Sequence, residues 1–102
     1  MGRIQGLAES GCLTENQLLK TGEGYVFSVS VSWIGQTVGH YCLLRDGLDG
    51  TANPLVPFPF ATADGFIRKE WPQGKKFNTG LFYDEGAGGV APGHIWVEVT
   101  FK

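Results

Sequence analysis

Two segments of this chain alternate so regularly that they fix its class before anything else is considered. In residues 24–35, GYVFSVSVSWIG, Tyr25, Phe27, Val29, Val31 and Trp33 fall on one side of a pleated strand, and Ser28, Ser30 and Ser32 on the other. In residues 94–102, HIWVEVTFK, Ile95, Val97, Val99 and Phe101 face one way, while His94, Trp96, Glu98, Thr100 and Lys102 face the other. A period of two over such lengths belongs to strands that bury one face. These two are expected to form central parts of the core, where each large inward side chain contributes about 1.5–3 kcal/mol.

Between them the chain reads as strand and turn. Residues 37–45 place Val38, His40, Cys42 and Leu44 on one face and Tyr41 and Leu43 on the other, ending at the Asp46-Gly47 and Asp49-Gly50 turns. Residues 55–60, LVPFPF, alternate Val56, Phe58 and Phe60 against prolines, which cannot donate ladder hydrogen bonds, so this piece is an edge strand or an extended plug. Residues 66–71 form a strand that stops at Pro72, and Gln73-Gly74 reverses the chain. A bent strand around Phe77 and residues 81–83, interrupted at Gly80, leads to a glycine-rich loop over residues 86–93. Six to eight short strands without a long amphipathic helix predict an all-β domain, a β-sandwich or a small barrel, over residues 21–102. Residues 1–20 lack alternation. They read as an arm docking on a neighbouring molecule, ahead of a short helical turn capped by Thr14 and Gln17.

The chain's 102 residues suffice for one domain with a modest core. A formal charge of −2, with its basic residues dispersed, argues against nucleic acid as a partner. No apolar run approaches the ~20 residues of a membrane helix, and no leader is visible. Cys12 and Cys42 are read as reduced thiols, with no zinc-like spacing to His40 or His94.

No catalytic constellation assembles either. Ser28, Ser30 and Ser32 lie mid-strand, not at a nucleophile elbow. Asp84 and Glu85 point to opposite faces, and residues 46–53 do not follow the order of a calcium loop. The expectation is a protein without enzymatic activity, metal or cofactor. Trp96, opposite an apolar row, and the small neutral hydroxyls of residues 28, 30 and 32 point to a contact surface, since short uncharged groups let another surface approach without stripping water from a charge. Arg3, Ile4 and Leu7 join that surface through the arm. A rival reading is a sugar-binding β-sandwich, with Trp71, Tyr83 and Trp96 as a stacking platform and Asp46 or Asp49 gripping hydroxyls.

The order of pieces resembles a group of small tailed-phage virion proteins of the capsid decoration (cement) type. The likeness is carried by LLKTGEGYVFSVSV at 18–31, LLRDG at 43–47, VPFPF at 56–60, GKKFNTGLFY at 74–83 and HIWVEVTFK at 94–102. It spans about four fifths of the chain and rests on order and spacing. The resemblance implies a jelly-roll-like β-sandwich without catalysis, often trimeric, bound to the major capsid protein or other virion proteins. It implies a place in the virion after synthesis in the host cytoplasm. The long glycine loop and the high aromatic content depart from the pattern and leave head and tail positions both open.

Overall fold

A computed structural model describes the protein over residues 7–88 and 94–102, with Arg3 and Ile4 outside that range. Eight strands follow in chain order: β1 Ala8–Glu9, β2 Gln17–Thr21, β3 Gly24–Trp33, β4 Tyr41–Asp46, β5 Asn53–Pro59, β6 Gly65–Phe77, β7 Gly80–Gly88 and β8 Ile95–Phe101. They build two four-stranded sheets, β1-β8-β3-β6 (sheet A) and β2-β7-β4-β5 (sheet B). Every pairing is antiparallel. No helix occurs among the described residues. The protein is therefore an all-β sandwich, and these two strand orders are those of a jelly roll.

The inward rows of the two sheets meet as one core. Val29 and Val31 of β3 lie beside Val99 and Val97 of β8, and Leu44 of β4 lies between Tyr83 of β7 and Val56 of β5. All seven are buried. The last strand keeps the alternation expected of it, with Ile95, Val97, Val99 and Phe101 inside. The proline-bearing strand β5 lies at a sheet edge, as its missing donors require, with Val56 and Phe58 inward and Phe60 buried just beyond it.

The strand with the serines departs from simple alternation. A register shift between Val26 and Ser28 leaves Phe27 without a partner on β8. One extra residue turns the pleat over. Val26, not Tyr25 or Phe27, is therefore the buried residue at this end of β3, and Tyr25 is exposed with Phe27 half-buried. The same position disturbs β6, where Glu70 pairs with Ser28 and Lys75 with Val26, so that residues 71–74 stand opposite Phe27 alone. Pro72, Gln73 and Gly74 thus form a bulge inside one 13-residue strand, where the sequence predicted a stop and a reversal. Gly74 takes φ +84°, and a Cβ there would lie 2.9 Å from that of Tyr25.

Two other expectations are corrected. No helical turn forms at Thr14–Gln17, because the backbone is engaged elsewhere. Leu13 exchanges N–H···O bonds of 2.7 and 3.1 Å with Val97, and the Asn16 side chain accepts from the Glu85 N–H at 2.7 Å. Leu7 to Thr21 is thereby sewn across the side of the sandwich, and β2 starts at Gln17. The strand expected over residues 37–45 begins only at Tyr41, so Val38 lies outside the core, 61% exposed. Cys42, Leu43 and Leu44 are all buried, Cys42 and Leu44 in the core and Leu43 on the opposite face of β4.

Candidate functional site

The serine row lies on the middle of three adjacent strands on the outer face of sheet A. Ser32 stands between Trp96 and Phe66, Ser30 between Glu98 and Arg68, and Ser28 between Thr100 and Glu70. The long flanking side chains shade the short ones, and all three serines are half-buried. The result is a trough with a hydroxyl floor, walled by β8 and β6. Arg68 reaches from the β6 wall to the floor, donating from Nη1 to Ser30 Oγ at 2.6 Å, and from Nε to Glu70 on its own strand at 2.7 Å.

The trough has two unlike ends. At the Phe27 end the twin bulges open concavities on either side of the ring. One, of about 380 Å³, is lined by Leu7, Ser28, Trp71, Pro72 and Thr100, and the other, of about 340 Å³, by Lys20, Tyr25, Gln73 and Lys102. At the opposite end Trp96 and Phe66 stand exposed at 37% and 65% on either side of Ser32.

The outer face of sheet B is covered in part by its own chain, although Leu18 and Tyr41 stay exposed there. Asp84, buried, receives Arg45 Nε at 2.8 Å, and Arg45 Nη1 donates to the Ala52 carbonyl at 2.6 Å, which folds the β4–β5 connection over the sheet. Leu43, pointing the same way as Asp84, is buried with it.

The sheet edges are blocked as well. β1 has only two residues, β2 shifts register between Leu18 and Lys20, and β5 carries Pro54, Pro57 and Pro59. On β6, Lys69 turns inward, its Nζ 3.2 Å from the Pro57 carbonyl and 5.2 Å from the centre of the Phe58 ring, and the 71–74 bulge follows. Prolines, bulges and an inward charge all oppose strand addition.

The residues singled out from the sequence separate accordingly. Leu7, Ser28, Ser30, Ser32 and Trp96 come together on the outer face of sheet A. The expected platform of Trp71, Tyr83 and Trp96 does not form. Tyr83 faces inward on β7, fully buried, because an even offset from Leu81 puts both on the core side. Trp71 packs half-buried against the core. Nor are the two aspartates free to grip a ligand. Asp46 accepts the backbone N–H groups of Asn78 and Thr79 at 2.8–3.0 Å, closing the β6–β7 hairpin. Burial pushes its pKa up, but the donors from Thr79, Asn78 and Gly80 outweigh that and hold it below the usual range. Asp49 accepts from the Thr51 hydroxyl and N–H at 2.6 and 2.8 Å, which lowers its pKa in the same way.

Phe66 is not singled out by the sequence because its strand has mixed faces. Its position opposite Ser32 is set by register, which the local sequence does not encode. Inside the sandwich, Cys42, Tyr83 and Glu85 form a buried polar group, with the Tyr83 hydroxyl donating to Glu85 at 3.4 Å. Burial pushes the Cys42 thiol up to about 12, which keeps it protonated and unreactive, and raises Glu85 as well. Both cysteines are free thiols. Among the described residues no cluster of His, Cys, Asp and Glu could hold a metal ion. Compared with protein-family models, curated proteins and solved structures, the chain matches none.

Proposed function

We propose that this protein is a non-enzymatic structural component of a particle, a capsid decoration protein in the manner its sequence resembles, and that it seats through the Phe27 end of the sheet A trough. One observation carries the reading. The middle of sheet B's outer face is covered by its own loop and the described sheet edges carry prolines, bulges or an inward charge, whereas sheet A offers an open face with a neutral hydroxyl floor and two concavities beside Phe27. A surface of small hydroxyls and half-buried aromatics desolvates cheaply, and symmetry would multiply a modest contact. The partners are copies of the chain, as a trimer, and the major capsid protein.

The test is the native mass by light scattering, with Ser28→Arg as the probe, since its long charged side chain would fill the larger concavity. A trimer that falls to a folded monomer in the variant supports the reading. A wild-type protein that stays monomeric at millimolar concentration, or a variant that assembles as well as the wild type, overturns it.

A further inference from the structure

The far end of the trough carries chemistry that subunit packing does not use. Trp96 and Phe66 are direct register neighbours of Ser32 on opposite sides, so two strand spacings, about 9.5 Å, separate their backbones. Carbon atoms in contact sit about 3.5–4.0 Å apart. A saturated ring held between two aromatic walls needs about 7–8 Å between them, a gap that side chains rooted at this backbone spacing can set by leaning inward. The slot is open, its walls being the two aromatics that face out from this end of the sheet.

The polar groups beside it are unspent. Among the described residues, Trp96 Nε1, Ser32 Oγ and the Glu98 carboxylate make no hydrogen bond. They offer one N–H donor, one hydroxyl that both donates and accepts, and one carboxylate acceptor within two adjacent rows. Two apolar walls with convergent donors and acceptors at their base match a ring that is apolar on its faces and hydroxylated at its rim. The charges select further. The one cation in these rows, Arg68, is already held by Ser30 and Glu70, which leaves Glu98 to repel an anion.

We infer that the Trp96–Ser32–Phe66 slot binds one neutral pyranose unit of a glycan, with the rings stacking on its two faces and Ser32 and Glu98 taking its hydroxyls. The inference rests on the seating proposed above in one respect: with the contact confined to the Phe27 end, the slot five residues further along β3, about 16 Å away on the same face, lies beyond it.

The test is titration of the full-length protein with neutral oligosaccharides of glucose, galactose, mannose and N-acetylglucosamine, followed by NMR of the Trp96 indole N–H. Free sialic acid, a charged pyranose with no neutral unit attached, is the control. Saturable shifts at Trp96 and Ser32 with at least one neutral sugar are expected, weakened about tenfold or more in Trp96→Ala and in Phe66→Ala. Ser28→Arg should leave them in place, and Trp96→Ala should leave the native mass unchanged. No shift with any neutral sugar, equal binding of free sialic acid, or binding that survives both aromatic truncations would overturn the slot. If the slot fails while Ser28→Arg still dissociates the assembly, the seating proposal stands alone. If sugar binds to a protein that is a monomer throughout, the seating proposal falls and the slot stands.

Discussion

The two outer faces of this sandwich carry the same kinds of side chain and use them in opposite ways. Each has an arginine–carboxylate pair: Arg45–Asp84 on sheet B and Arg68–Glu70 on sheet A, with Nε–O distances of 2.8 and 2.7 Å. The first pair is buried, its side chains 14% and 7% exposed, and the second lies in water at 47% and 59%. The first pins a loop over a sheet; the second runs along one wall of a trough that stays open. Equal geometry therefore says little, and the surroundings decide whether a pair closes a surface or leaves it available.

The sharpest way to break the comparison is to change which residues face outward. Phe27 is the extra residue of β3 relative to β8, so deleting it keeps Val26, Val29 and Val31 on the inward phase. Deleting Ser30, two positions beyond Ser28, turns Val29 and everything before it over, exchanging valines for serines in the core. The Ser30 deletion should abolish folding, with no cooperative thermal transition. The Phe27 deletion should remain folded, with a transition at a lower temperature and the two concavities lost. Equal behaviour of the two deletions would show that the bulge does not set the phase.

How much of this was legible in the sequence depends on how far each signal reaches. Ile95 to Phe101 declared its faces because β8 is regular from end to end. The sandwich class followed from turn chemistry and alternation, which are local. Tyr25 and Phe27 were assigned to the core because alternation counted back from Trp33 ignores an inserted residue, and a bulge has no mark in a run of ordinary strand formers. The trough itself was half visible. Ser28, Ser30, Ser32 and Trp96 share a face by counting, but Phe66 and Arg68 join them only through a pairing 34 to 38 residues away in the chain. Tyr83 shows the reverse error: an aromatic was given to the surface when its hydroxyl had a buried carboxylate to meet.

A smaller effect separates the two ion pairs. Arg45→Ala strips Asp84 of its guanidinium partner inside the protein and releases the Ala52 carbonyl, so it should cost about 3–5 kcal/mol in chemical denaturation. Arg68→Ala removes an exposed pair and one hydrogen bond to Ser30, and should cost about 1 kcal/mol or less. The Arg45 variant should also speed proteolysis within residues 47–52, since its contact holds that connection down. Similar losses in both variants would mean that the β4–β5 connection is held over sheet B by something other than Arg45.

The smallest effect concerns the carboxylate that sheet B's connections consume and sheet A's face does not. Asp46 caps the β6–β7 hairpin through backbone N–H groups that otherwise lack an acceptor at this turn, and its charged form is the one they favour. Because its folded pKa lies below the unfolded value of about 3.9, its contribution is present above that pH and fades as pH falls through the folded pKa. Asp46→Asn keeps an oxygen but loses the charge, so it should cost about 1–2 kcal/mol at pH 7. The gap between variant and wild type should narrow progressively below pH 4, as the wild-type carboxylate itself takes up a proton. Glu98→Gln is the counterpart on the open face: an exposed carboxylate with no hydrogen bond among the described residues gives folding nothing to lose, and stability should be unchanged at either pH. A loss in Glu98→Gln matching that in Asp46→Asn would show that the trough spends its carboxylate on its own stability, leaving none for a ligand.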